Sequence, residues 1–335
     1  MRIGACGTGN VASWISGILN ETGDPDIELY ACATSPGFDC TEFAQKYGYK
    51  KVCASFDELM ADPLVDVVYI AVPNNLHLDM VRKAIAAGKN VICEKPLAIN
   101  ERDAREMIRL AEEKGVFFME ALWAAFLPIR QMVRDEIASG IIGEIKEGHV
   151  VQMDNIMFLP RASKLELGGG YLLDNGPYTL GWMTDYFGTD IKSVTAKMRK
   201  LDTGVDAEDW ITVEYENGCV YTLHQAMDMP EDKYEEYAEI VGTKGVIRFN
   251  TVANPKECRI YDLDGKLLKA LEIPPQIVNP GVPPVSGYNF EFQAAAKAIT
   301  AGLKECADAS HKKSLAIAHV MTEARRQCDL VYPFE

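Results

Sequence analysis

The chain has 335 residues, enough for two domains that each bury a core, and its 48% hydrophobic and 25% charged residues are ordinary globular composition. A net charge of −15 repels phosphodiester backbones, which excludes nucleic acid as an expected partner, and no apolar stretch reaches membrane-spanning length. The nine cysteines (Cys6, Cys32, Cys40, Cys53, Cys93, Cys219, Cys258, Cys306 and Cys328) are odd in number, widely spaced and lack a C-x-x-C pair; this argues against a disulfide framework or metal site and for a reducing, cytoplasmic setting.

A strand-like run at 3–6 follows Met1 so closely that no signal segment is expected. Gly7 comes next, and 11–19 reads as a helix. Residues 28–33 are strand-like, and 65–72 is almost wholly apolar, as in a strand buried on both faces of a parallel sheet. Leu76, Met80, Val81, Ala84 and Ile85 then recur at helical spacing, stopped by Gly88 and Lys89. Residues 91–93 form a short strand; Ala104, Met107, Ile108 and Ala111 mark an amphipathic helix closed by Gly115, and 116–119 is a further strand. This alternation predicts a doubly wound parallel sheet with helices on both faces.

After about residue 120 the texture changes, and the chain is divided into domains 1–120 and 121–335. A helix at 129–139 precedes strand-like segments at 144–153, 191–198, 210–215, 219–226, 237–241 and 246–249. Asn217-Gly218 is a strong hairpin signal and Thr243-Lys244-Gly245 a second turn, so the second domain is expected to be α/β with a large, mostly antiparallel open sheet. The proline-rich stretch 274–284 reads as loop, and helices at 290–301 and 314–330 close the chain.

Four motifs carry chemistry. Gly7-Thr8-Gly9-Asn10-Val11-Ala12 is G-x-G-x-x-A between a strand and a helix, which suits a tight turn, close approach of a pyrophosphate and a helix N-terminus offering free N–H groups. The end of the second strand, Thr34-Ser35, carries neither the acid that binds a ribose 2′-OH nor the Arg that binds a 2′-phosphate, so NAD and NADP both stay open. Pro73-Asn74-Asn75-Leu76-His77 follows the buried strand; Pro73 and Asn74 are placed at the cofactor, and His77 is either a cofactor neighbour or a structural partner. Glu94-Lys95-Pro96 ends the next strand, where a lysine is a fixed charge and proton carrier, unless the pair is merely solvated. In Gly168-Gly169-Gly170-Tyr171-Leu172-Leu173-Asp174-Asn175-Gly176-Pro177-Tyr178, Pro177 demands a helix start near 174–176. Asp174 and Tyr178, four apart, either share a functional face or cap and pack that helix.

Together these motifs resemble the glucose–fructose oxidoreductase / inositol dehydrogenase (Gfo/Idh/MocA) family over nearly the whole chain. They are most similar to the branch holding dimeric dihydrodiol dehydrogenase and xylose dehydrogenase, with Phe118-Met119-Glu120-Ala121-Leu122-Trp123 and the terminal Tyr332-Pro333-Phe334-Glu335 as further matches. The resemblance implies a Rossmann domain, NAD or NADP as cofactor, Lys95 as central catalytic residue, Tyr178 as general acid/base and Asp174 orienting substrate or tyrosine. It also implies a homodimer or homotetramer through the second domain's sheet. Two positions depart from the branch: Ala124-Ala125 follow Trp123 where relatives carry an Arg, and Ser35 stands at the NADP-binding Arg position.

The reading is therefore an NAD(P)-dependent oxidoreductase passing hydride between nicotinamide C4 and a CH–OH/carbonyl carbon of a sugar, glycoside or trans-diol, with Lys95 and Tyr178 as proton relay. Glu94 and Lys95 are assigned beside the cofactor; Trp123, Phe158 and Tyr171 are candidates for either pocket walls or core. Rival readings are a non-catalytic NAD(P)-sensing regulator, disfavoured by the Lys95, Asp174 and Tyr178 set, and a lyase or glycosidase using transient oxidation.

Overall fold

The computed structural model describes residues 1–273 and 287–335. These divide into two compact units; the first holds Met1–Phe126 and, of the later chain, residues 287–314, and the second holds the rest.

The first unit is built on six parallel strands: β1 (Arg2–Cys6), β2 (Glu28–Ala33), β3 (Lys51–Val52), β4 (Val67–Ile70), β5 (Asn90–Glu94) and β6 (Phe118–Ala121), in the order β3-β2-β1-β4-β5-β6. That order reverses beside β1, which creates the switch point where ligands of such sheets bind. β4 is buried throughout, as its unbroken apolar run requires. Helices α1 (Asn10–Thr22), α2 (Thr41–Tyr47), α3 (Phe56–Ala61), α4 (His77–Ala86) and α5 (Glu101–Lys114) connect the strands. In α5 the expected stripe Ala104, Met107, Ile108 and Ala111 is buried, and Asn100 caps the helix by accepting the Asp103 N–H at 2.9 Å.

The segment between β2 and β4 contains α2, β3 and α3, which are too short to show a period. Caps betray them instead: Ser55 accepts the Glu58 N–H at 3.1 Å, and the Glu58 carboxylate accepts the Ala54 N–H, one residue before the cap, at 2.8 Å. The domain boundary also differs from the sequence reading. The first unit extends to Phe126, and residues 287–314, assigned above to the second domain, pack back into it. Phe292 meets the Tyr69 ring edge-on at 5.3 Å, Tyr288 lies 5.3 Å from Trp123, and the Phe118 N–H donates to the Lys304 carbonyl at 2.9 Å. Burial of these rings, not any local signal, decides the assignment.

The second unit contains α6 (Pro128–Ala138) and eight strands: β7 (Ile145–Met153), β8 (Ile191–Lys200), β9 (Asp206–Tyr215), β10 (Val220–Ala226), β11 (Glu236–Gly242), β12 (Gly245–Phe249), β13 (Glu257–Asp262) and β14 (Leu267–Glu272). Their order is β14-β13-β12-β11-β7-β10-β9-β8, antiparallel except where β7 runs parallel to β10. Asn217-Gly218 turns β9 into β10, and Thr243-Lys244 turns β11 into β12, as expected. The short helices α7 (Pro160–Ser163) and α8 (Tyr171–Asp174) precede α9 (Gly176–Phe187), with α10 (Tyr288–Thr300) and α11 (His311–Gln327) later in the chain. Trp182 of α9 is fully buried among Tyr186, Phe187, Tyr221 and Phe249, so one face of the sheet packs on an aromatic core. The expected loop at 274–284 lies outside the described residues.

Candidate functional site

The first unit gathers its candidate residues on one rim because parallel strands end on the same side. Gly7 to Val11 follow β1, Thr34 and Ser35 follow β2, Pro73 to His77 follow β4, Glu94 and Lys95 end β5, and Trp123 follows β6. Gly7 has φ 109°, and a Cβ built on it would stand 2.3 Å from the Ala71 carbonyl oxygen, so only glycine lets β1 turn so tightly against β4. A Cβ on Gly9 would meet nothing within 4 Å, which leaves open space above that turn. The Ser13 N–H is bonded to the Gly9 carbonyl at 2.9 Å, so the N–H groups of Asn10, Val11 and Ala12 precede the intrahelical ladder. An open glycine turn, unladdered donors and the positive helix end fit a dinucleotide pyrophosphate. Thr8 and Thr34 join the first two turns by a hydroxyl bond of 3.1 Å.

The rim has a buried framework. The His77 ring is fully buried, with Nδ1 at 3.0 Å from the Pro96 carbonyl and Nε2 at 3.0 Å from the Val72 carbonyl, tying the segment after β5 to the end of β4. Burial lowers its pKa, so the structural role weighed for it is the one its contacts describe. Glu94, placed beside the cofactor by the sequence reading, turns inward and accepts the Tyr69 hydroxyl at 2.7 Å; burial pushes its carboxyl up to about 7. Glu120, given no role in the sequence, is buried and accepts the Leu97 N–H at 2.9 Å. Lys95 is half-buried between these anchored neighbours. Trp123, only 4% exposed, packs on Tyr288.

In the second unit, α8 and α9 are separated by Asn175 alone, and the Tyr178 N–H donates to the Asn175 carbonyl at 2.9 Å. Asn175, not Asp174, occupies the cap position of α9, and the Asn175 side chain does not cap it. Asp174 instead pairs with Arg161 of α7, and both Asp174 and Tyr178 are half-buried. Arg161 was missed because a lone arginine after a proline carries no period and its partner lies thirteen residues on. Tyr171, weighed as a pocket wall or core, is core: it is 0% exposed among Ala162, Val205, Ala207 and Met227, and its hydroxyl donates to Asp154 at 2.7 Å. Phe158 is 74% exposed. Among the described residues no helix is long and apolar enough to cross a membrane, and no cluster of His, Cys, Asp and Glu could hold a metal ion.

Comparison with known proteins agrees with this geometry. The model of an oxidoreductase family with an NAD-binding Rossmann fold, Gfo/Idh/MocA, matches residues 1–122, and that of the Gfo/Idh/MocA C-terminal domain matches 130–248. The chain is 32% identical to a trans-1,2-dihydrobenzene-1,2-diol dehydrogenase of Xenopus laevis, covering 98% of each chain. It is 31% identical to that of Danio rerio, covering 99% of this chain and 98% of the relative. Among solved structures, an NAD-binding oxidoreductase from Klebsiella pneumoniae superposes with TM-score 0.84 at 25% identity, covering 98% of this chain and 96% of the other. A levoglucosan dehydrogenase in complex with NADH and levoglucosan shares the fold, with TM-score 0.83 at 21% identity, covering 98% of this chain and 97% of the other. The chain belongs to the Gfo/Idh/MocA family and is an NAD(P)-dependent oxidoreductase.

Proposed function

We propose that this oxidoreductase interconverts a secondary alcohol and a ketone on a sugar, glycoside or trans-diol, with Lys95 and Tyr178 as its proton relay. The observation that carries the reading is the position of Lys95 on the rim that also presents the open Gly9 turn, held between the anchored Glu94 and Pro96. Relatives named as dehydrogenases of a dihydrobenzene diol support the substrate class.

The nicotinamide, when bound, accepts or gives the hydride at C4. The chain's own residues manage charge and protons. The Lys95 ammonium stabilises the negative charge that develops on the carbinol oxygen, and Tyr178 Oη takes the hydroxyl proton during oxidation and returns it during reduction. Asp174 accepts from a neighbouring hydroxyl of the substrate, while its bond to Arg161 holds the carboxylate in one orientation. Gly7, Thr8, Gly9, Asn10 and Val11 hold the pyrophosphate, Thr34 and Ser35 the adenosine ribose, and Pro73 and Asn74 border the cofactor. Trp123 and Phe158 offer apolar surface to the substrate.

The same reading includes a homodimer or homotetramer through the second unit's sheet, supported by Trp210 and His224, which stack at 4.9 Å on the face opposite Tyr221 and Leu223. It also places the enzyme in the cytoplasm, whose reducing conditions suit nine free thiols.

Turnover of aldoses, glycosides and trans-diols by wild-type protein, Lys95→Met and Tyr178→Phe tests the relay. Each variant should lose about 10²–10⁴-fold in kcat while retaining cofactor binding. Unchanged kcat in Lys95→Met would remove lysine from the mechanism; absence of nicotinamide oxidation or reduction by wild type with the whole panel would refute the substrate class.

A further inference from the structure

Adenosine ribose is read at the end of β2, where a carboxylate receives a free 2′-OH and an arginine receives a 2′-phosphate. Here β2 ends at Ala33, and Thr34, Ser35 and Pro36 carry no charge. The chain then reverses: the Phe38 N–H donates to the Ser35 carbonyl at 3.2 Å, with Pro36 and Gly37 (φ 87°) inside the turn. Proline followed by a glycine at positive φ suits a type II turn, which holds Ser35 at the strand tip. Beyond the turn, Asp39 accepts from the Thr41 N–H at 3.0 Å and the Thr41 hydroxyl at 2.7 Å. Those bonds favour its charged form, so an anion sits beside the tip.

The cations are placed elsewhere. Residues 1–83 contain six, Arg2, Lys46, Lys50, Lys51, Arg82 and Lys83. Arg2 pairs with Asp66 at the start of β1, and Lys50 pairs with Glu28 at the start of β2, both at the opposite end of the sheet. Lys51 holds Asp62 at 2.9 Å and Glu58 at 3.3 Å, Arg82 holds Glu106 at 2.7 Å, and Lys83 holds Asp57 at 2.9 Å. Lys46 lies over the Tyr47 ring in the last turn of α2.

We propose that this tip selects NAD(H) over NADP(H), with Ser35 as the specificity-determining residue. Hydroxyls of Thr34 and Ser35 satisfy a free 2′-OH. A 2′-phosphate, carrying close to two negative charges, meets the Asp39 carboxylate, while Arg2, Lys50, Lys51, Arg82 and Lys83 are engaged in ion pairs of their own. The inference rests on the NAD(P)-dependent reading and adds the choice between the two nucleotides.

Calorimetric titration of the full chain, freed of retained nucleotide, with NADH and separately with NADPH tests it. Wild type should bind NADH more tightly by about tenfold or more, equivalent to about 1.4 kcal/mol. Ser35→Arg should gain about tenfold for NADPH and lose affinity for NADH, so that the preference between the two nucleotides falls by about tenfold or more. Equal or tighter binding of NADPH by wild type would overturn the selection and leave the oxidoreductase reading standing. Binding of neither nucleotide would overturn that reading itself. Should the arginine variant fail to fold, the wild-type ratio alone decides.

Discussion

Asp206 and Asp209 of β9 are both fully buried, although residues three apart on a regular strand face opposite sides. The β8–β9 register shifts between Arg199 and Lys200, opposite this stretch, and the irregularity turns both carboxyls inward. Asp206 Oδ1 and Asp209 Oδ1 are buried with no hydrogen-bond partner among the described residues, and burial of two neighbouring carboxyls favours keeping one proton on the pair. Asp206 accepts the Leu172 N–H at 2.6 Å, so it is the better anion; Asp209 has the Gln225 amide at 2.8 Å and holds the proton. Burial, and then the Asp206 charge, raise the Asp209 pKa well above its ordinary value of 3.8. The unfolded chain releases this proton above about pH 4 and the folded chain keeps it, so stability is full below that pH and falls as pH rises toward the folded-state pKa. The slope is about 1.4 kcal/mol per pH unit, and by pH 7 the loss reaches at most about 4 kcal/mol. Asp209→Asn is isosteric, keeps a donor toward Asp206 and an acceptor for Gln225, and removes the titration. Its denaturation midpoint relative to wild type should rise as pH is raised from about 4 toward neutrality, followed by Trp182 fluorescence in guanidinium. A midpoint difference that stays constant or falls across this range would refute the shared proton. The pair matters to the site because Asp206 anchors the start of α8, which carries Asp174; Gly170 makes room for it, since a Cβ there would lie 2.1 Å from Asp206 Oδ1.

Two further outcomes follow from contacts at the site. Gly7→Ala would force a side chain into a left-handed φ of 109° against the Ala71 carbonyl, so it should cost about 2 kcal/mol or more and abolish NADH binding; calorimetry and thermal melting check both, and retained affinity would refute the tight-turn argument. Arg161→Gln releases Asp174 and should lower kcat/KM for the preferred sugar or diol by about tenfold while leaving NADH affinity unchanged; an unaltered kcat/KM would show that Asp174 needs no such support.

The structural frame of the candidate site was legible because its signals are local. The G-x-G-x-x-A turn, the strand ends at Thr34, Pro73 and Glu94, and the helix start at Pro177 each depend on a few neighbouring residues, and the family resemblance joined them. Side-chain direction was not legible. Glu94 and Lys95 are adjacent, yet one points inward to Tyr69, and that follows from a β5–β4 pairing absent from the local pattern. Tyr171 reads equally as wall or core until Asp154 and Met227 close around it.

The sequence by itself determined the elements long enough to show a period, such as β4 and α5, and the turns whose chemistry is explicit, such as Asn217-Gly218, because helix and strand periodicity and turn geometry are properties of adjacent residues. Tertiary structure alone decided the parallel contact of β7 with β10, the return of residues 287–314 to the first unit and the pairing of Arg161 with Asp174. Those contacts join residues that no local rule relates, and they form where closing the intervening chain is offset by burial of apolar side chains or by partnering a charge.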